Sequence, residues 1–381
     1  MPLKTIVIIG ASFSGTAVAK ALVKDTPPTG IKVILINPSD ELYFCIAAPR
    51  LLTKPAALSA DKYLYSIPGI FKSVPRENFE FIQDTVRSMD TAAKIVTLAN
   101  STKSIYYDYL VIASGSSSQP ALRGDDVVAP FKPTGADAQG FKAQIKSSQE
   151  TIAAAKSIIV GGAGPLGVEL AGELADLAKD VTIVTSTRIL PMLNEGPSST
   201  AEKLLLKKNV KVIKNSAVTE AYQTDDRKQW SVRLSTGKVL KADLYIGSTG
   251  VSPNNSFIPA EYLKDGWVNV DSYFRVAVPG KAGQSPEGVY AVGDITTHTP
   301  RTAIKVNDQV PIVVGNLKAA ISGSSKLKAY GGSGGSIMMM VPVGENAGTG
   351  QMFGWTVWGK LVVMMKGKDF MTGRASGMVG A

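Results

Sequence analysis

Ser157-Ile-Ile-Val-Gly-Gly-Ala-Gly-Pro-Leu-Gly-Val-Glu169 decides the fold. Ser157 to Val160 reads as a buried strand, Gly161 to Gly167 as a tight loop, Val168 to Ala178 as a helix and Val181 to Val184 as the next strand. Gly162, Gly164 and Gly167 fall at the spacing a dinucleotide pyrophosphate requires: backbone N–H groups at a helix N-terminus, and no side chain where the chain turns or the phosphates approach. A glycine-rich turn between any strand and helix looks similar. The complete strand–helix–strand setting selects the phosphate reading. The following strand runs into Thr185-Ser-Thr-Arg188, without a carboxylate for a ribose 2′-OH. Arg188 is a ready partner for a 2′-phosphate, so a dinucleotide carrying that phosphate is expected to serve at least comparably to one without it.

A second copy of this pattern lies about 150 residues earlier in the chain. Lys4 to Ile9 is a β-branched run, Gly10-Ala-Ser-Phe-Ser-Gly15 a loop and Gly15 to Lys24 a helix; Thr26 to Gly30 reads as a turn cluster and Lys32 to Ile36 as a strand. Ser12 replaces the middle glycine, and Asn37 stands where an acidic residue would meet the ribose hydroxyls. An amide still hydrogen-bonds a ribose, more weakly than a carboxylate.

Composition excludes several classes. At 381 residues, 44% apolar and 19% charged, the chain is a folded globular protein of two to three domains. One cysteine, Cys45, and one histidine, His298, leave no disulfide framework, Cys-x-x-Cys pair or Cys-rich zinc site, and no transition-metal site is expected. The 41 Lys+Arg against 31 Asp+Glu suit anionic cofactors, acidic lipid surfaces and nucleic acid alike. A strand begins within a few residues of Met1, position 2 is proline and the chain ends MVGA, so no leader, myristoyl or prenyl signal is expected. No apolar run reaches the ~18 residues of a membrane span. The expected location is cytoplasmic, with peripheral contact on an intracellular membrane as an open extension.

Three further segments join the two loops. Tyr107 to Gly115 and Ala242 to Gly250 are paired strand-to-glycine crossovers, and Gly288-Val-Tyr-Ala-Val-Gly-Asp294 sets a carboxylate directly after a buried strand, where open α/β sheets bind ligands. The ordered set, with Ser248 to Asn254, resembles the two-dinucleotide flavoprotein oxidoreductases of the glutathione-reductase-like, pyridine nucleotide-disulfide superfamily. Within it the chain is most similar to the apoptosis-inducing-factor-homologous, ferroptosis-suppressor-type NAD(P)H:quinone oxidoreductases, near type II NADH dehydrogenases. The likeness spans nearly the whole chain, including Pro300 to Ala303, Gly348 to Gln351 and Lys366 to Asp369.

The resemblance implies an α/β fold with two Rossmann-like domains: an FAD-binding domain from 1–125 and 251–328, an NAD(P)H-binding domain from 126–250, and a C-terminal module from 329–381 beyond the Gly/Ser-rich stretch Tyr330 to Ser336. It implies FAD on Gly10, Ser12 and Gly15, with Asn37 and Gly115 nearby and Asp294 on the ribityl or pyrophosphate side. NADH or NADPH would lie on Gly162, Gly164 and Gly167, with Gly250 alongside and Glu169 near the nicotinamide. Asn37 and Ser114 depart from the common pattern. A helix starting near Pro300 to Ala303 is expected to aim N–H groups at the flavin's pyrimidine end, with Arg301 nearby. Arg50 has two readings, an FAD-phosphate partner or a solvated arginine. Lys366 matches a lysine carried close to the flavin or quinone, or is a solvated tail lysine. His298 is an ordinary loop histidine or a proton donor to quinone.

Phe353/Val357/Leu361/Met364 and Trp355/Trp358/Val362/Met365 form two stripes at helical spacing, so a helix apolar around most of its circumference is expected, covered by protein, a second copy or lipid. With one cysteine no disulfide relay is available. The expected function is hydride transfer from NAD(P)H to flavin and on to a quinone-like lipophilic acceptor. One alternative is a one-cysteine NADH oxidase, peroxidase or thiol-disulfide reductase using Cys45, although Phe44-Cys45-Ile46 departs from that group's pattern. Another is a redox-sensing binding protein; without a base-reading motif, no specific nucleic acid is expected. A homo-oligomer stays open.

Overall fold

The computed structural model describes residues 3–24, 30–101, 103–118, 131–132, 138–224, 229–281, 283–331 and 337–381. The boundary at 125/126, most of the Thr26 to Gly30 cluster and the stretch 332–336 lie outside them.

Both expected units form parallel sheets with the β-branched run at the centre. Lys4–Ile9 lies between Ile31–Asn37 and Tyr109–Ile112, with Phe79–Gln83 and Val289–Ala291 outermost. Ser157–Gly161 likewise lies between Asp180–Val184 and Leu244–Gly247, with Lys211–Ile213 beyond. Val, Ile and Leu on both faces suit strands buried from two sides, and Ile6, Val7 and Ile8 are fully buried. In each unit a three-stranded antiparallel meander precedes a strand that pairs with the central one: Val86–Asp90, Ile95–Leu98 and Ser104–Tyr106 in the first, Val218–Gln223, Trp230–Leu234 and Val239–Ala242 in the second. The same plan twice brings a glycine-bearing crossover back beside each phosphate loop.

Among the described residues, the C-terminal segment, expected as a module of its own, shows no core separate from those of the two units. Val341 and Val343 complete the core of the second unit, whereas Phe370, Ala375 and Val379 complete that of the first. Nor is its apolar stretch one helix. Met339–Pro342 and Gly348–Met352 form a hairpin extended by Trp355–Thr356, followed by a single helical turn, Gly359–Val362, and a π-turn, Val363–Gly367. Phe353 and Gly354 both take positive φ, 51° and 85°, turning the chain back after Met352. The helical count fitted the apolar residues but passed over Gly354 and Gly359. Val357 and Val362 point inward, while Phe353, Trp355 and Trp358 are 74%, 80% and 81% exposed. Among the described residues no helix is long and apolar enough to cross a membrane.

Candidate active site

The two glycine loops repeat one construction. Gly10 and Gly162 follow the central strands at φ +100° and +101°, and a Cβ on either would lie 2.4 Å from Ala113 O or 2.5 Å from Ser248 O. Gly15 and Gly167 sit in the first turn of Phe13–Lys24 and Pro165–Asp176, and a Cβ there would meet the carbonyl oxygen of Gly10 at 1.8 Å or of Gly162 at 2.1 Å. Backbone contact thus dictates these four glycines. Gly164 differs: a Cβ there would meet nothing within 4 Å, so the protein leaves that space open at the helix start. Ser12 occupies the matching place in the first loop and lines a cavity of about 1440 Å³.

That cavity runs along the carboxyl ends of the first sheet's strands. Gly10, Ser12, Asn37, Gly115, Asp294, Arg301 and Ala303, all expected at the flavin, line it. Asn37 braces the loop: its Oδ1 accepts the Ala11 N–H at 3.0 Å and its Nδ2 donates to Ser39 O at 2.7 Å. Asp294 Oδ2 accepts from Lys132 Nζ at 2.6 Å and from Ser116 Oγ at 3.2 Å. The Arg301 guanidinium lies 3.4 Å from the Trp267 ring centroid and donates to Asp294 O and Thr296 O, both at 3.1 Å. Ala303 opens the short turn that leads into the helix Val306–Ile321. Gly250 is exposed at φ +142° and is not part of the cavity wall.

Glu169 and Lys366, neither of them on the wall of that cavity, meet across the chain. Lys366 Nζ donates to Glu169 Oε1 at 2.5 Å, with side chains only 15% and 5% exposed. Burial pushes the Glu169 carboxyl up, and the lysine opposes that rise. Cys45 lines the large cavity, and desolvation raises its thiol against the opposing pull of Lys132, so it is a thiol rather than a thiolate at neutral pH.

One expectation changes and two are narrowed. Arg50 is neither a phosphate partner nor solvated: it is 4% exposed, forms a bidentate ion pair with Glu173, donates to the carbonyls of Gly367 and Lys368, and does not line the cavity. Its guanidinium is spent on protein partners. Arg188 is engaged as well, with Glu195 and with Leu193 O, the latter at 2.5 Å, but that pair is largely exposed and a bound phosphate can compete for it. His298 lies edge-on to Phe274 and Tyr330, its buried Nε2 has no hydrogen-bond partner among the described residues and burial lowers its pKa; it is not on the cavity wall, which favours the loop reading.

Two residues escaped the sequence reading. Lys132 lies in a stretch with no periodic pattern to mark it. Glu173 did carry a signal: with Glu169 it puts two carboxylates four residues apart on one buried face of an apolar helix.

Residues 4–309 match the pyridine nucleotide-disulphide oxidoreductase family. The oxidoreductase ptaL of Pestalotiopsis fici is 34% identical over 370 residues, covering 94% of this chain and 94% of that protein. Ferroptosis suppressor protein 1 of Xenopus laevis is 27% identical, covering 97% and 94% respectively. Among solved structures, the sulfide:quinone oxidoreductase of Aquifex aeolicus superimposes with a TM-score of 0.75 at 19% identity, covering 99% of this chain and 91% of that one.

Proposed function

This chain belongs to the pyridine nucleotide-disulphide oxidoreductase family, whose cofactors are FAD and NAD(P)H, and from that premise we propose that its electron acceptor is a quinone or similar lipophilic molecule. The residues present fit both cofactors: one glycine loop lines a cavity of about 1440 Å³, and the other leaves clear space at Gly164. Gly10, Ser12 and Gly15 would hold the FAD pyrophosphate, with Asp294 on the ribityl side. Gly162, Gly164 and Gly167 would hold the nicotinamide cofactor. When bound, FAD supplies the two-electron chemistry, accepting hydride from the nicotinamide and passing electrons to the acceptor. The turn at Ala303 and the Arg301 guanidinium favour negative charge at the flavin's pyrimidine end. Lys366 holds a proton at Nζ, beside Glu169, for the electron-transfer site.

One observation carries the lipophilic acceptor. The segment that delivers Lys366 also presents Phe353, Trp355, Trp358 and Met364, four large apolar side chains more than half exposed. With Lys360 exposed between them, the arrangement suits the interface of a bilayer, from which a long-tailed quinone would arrive. The ferroptosis-suppressor-type resemblance implies the same acceptor. Replacing Trp355 and Trp358 together by serine should leave bound FAD unchanged while reducing liposome co-sedimentation and turnover with long-tailed quinones severalfold. Equal partitioning and turnover in the variant would remove the membrane-side reading.

Cys45 offers the competing route, because it lines the cavity. A half-buried neutral thiol is a poor nucleophile, so Cys45→Ser should keep most NAD(P)H:quinone turnover. A wild type that reduces peroxide or disulfide faster than quinone, with that activity abolished in Cys45→Ser, would establish the thiol route instead. For the donor, kcat/KM with NADPH is expected to equal or exceed that with NADH. A preference for NADH above about tenfold would count against the role of Arg188.

A further inference from the structure

We propose that Arg50 is a positioning residue for Lys366: held by Glu173, it fixes the backbone after Lys366 and so aims the ammonium at Glu169. This inference rests on the role given above to Lys366. The π-turn ends where the Lys368 N–H donates to Val363 O at 3.0 Å. Lys368 keeps helical backbone angles, and two residues further on Phe370 and Met371 turn to φ 51° and 66°. Two successive non-glycine residues hold that conformation only where their surroundings impose it. Asp369 holds the turn itself, accepting from the Met371 N–H at 2.9 Å and the Gly373 N–H at 2.8 Å, and Arg50 fixes the chain entering it, donating from Nη2 to Gly367 O at 2.9 Å and from Nη1 to Lys368 O at 3.0 Å. The Phe370 ring centroid lies 5.1 Å from Arg50 Cζ and 5.8 Å from Lys366 Nζ, so one ring packs against both cations.

Arg50 is itself immobilised. Its Nε and Nη2 reach the two Glu173 oxygens at 2.6 and 2.9 Å, and the Glu173 side chain is fully buried. Glu173 lies one helical turn beyond Glu169 on Pro165–Asp176. One helix face therefore fixes Lys366 twice: Glu169 takes its ammonium, and Glu173 takes the arginine that holds its backbone. A lysine on four flexible methylenes points in a defined direction only when its backbone is fixed in this way. The planar guanidinium fork reaches a carboxylate and two carbonyls together, which an ammonium at position 50 cannot do.

The test uses FAD-loaded wild type, Arg50→Lys, Lys366→Ala and the double variant, followed by flavin content, melting temperature, and kcat and KM with NAD(P)H and quinone across pH. Arg50→Lys should retain FAD, lose about tenfold in kcat with little change in KM, and displace the pH profile in the same direction as Lys366→Ala. In the Lys366→Ala background the same change should cost nothing further, because its effect passes through Lys366. Wild-type kcat in Arg50→Lys, or losses that multiply in the double variant, would overturn the proposal. If Arg50→Lys does not hold FAD, Glu173→Gln, which loosens the arginine's seat, is put through the same cycle and judged by the same outcomes. Full quinone turnover in Lys366→Ala is a separate result: it refutes the role of Lys366 and, with it, this inference.

Discussion

Gly15→Ala is expected to purify without flavin colour. The added methyl would lie 1.8 Å from the Gly10 carbonyl oxygen and 3.3 Å from the Ala113 Cβ, and relief requires the loop to lift off the helix start. Gly10 cannot yield, since it is at φ +100° with Ala113 O closing the other side. The N–H groups of the first helical turn would then no longer converge on a phosphate, and FAD affinity should fall by at least about a hundredfold, ~2.7 kcal/mol, measured by flavin absorbance per chain and by titration. Gly164→Ala is the contrasting case. Its methyl meets no protein atom within 4 Å, so the variant should melt like wild type and keep FAD, yet show a raised KM for NAD(P)H because the methyl stands where phosphates approach. A flavin-replete Gly15→Ala would show that the first loop is not the cofactor cradle.

Lys366→Ala should lower turnover with quinone by about a hundredfold and also destabilise the protein. Its partner Glu169 is 4% exposed and would be left as an unpaired buried carboxylate, at a cost of about 3–5 kcal/mol. The pH dependence separates the two effects. Burial already raises the Glu169 carboxyl above its ordinary 4.5, and losing the lysine removes the opposing pull. A carboxyl raised on folding contributes stability that is fully present below its unfolded value and is lost as pH rises through its folded value. The melting temperature of Lys366→Ala should therefore fall further below wild type as pH climbs above the ordinary carboxylate range, and approach it in acid. Changing Glu169 to Gln in that background should recover the stability at neutral pH but not the turnover. Turnover recovered along with stability would mean that the pair serves packing alone.

The loops and sheets were legible because backbone geometry dictates their residues. Strands buried on both faces need β-branched runs, and Gly10, Gly15, Gly162 and Gly167 stand where any Cβ would strike a carbonyl. Asp294 was legible for the same reason, as the first polar side chain beyond a buried strand. What stayed hidden depends on pairing between distant segments. Arg50 meets Gly367 and Lys368 more than three hundred residues later in the chain, and nothing near position 50 announces a buried carboxylate on another helix. The tail misled in a different way: its apolar residues fit a period of 3.6, but Gly354 and Gly359 interrupt it, and a hairpin with one exposed aromatic edge satisfies the same composition.

The most direct test of the central claim is an anaerobic spectrum of the FAD-loaded protein, titrated first with NADPH and then with a quinone. Bleaching by the nucleotide followed by full return of the flavin colour on adding quinone, at similar rates in wild type and Cys45→Ser, is the predicted result. Colour that returns with peroxide or a disulfide but not with quinone, and only while Cys45 is present, would contradict it.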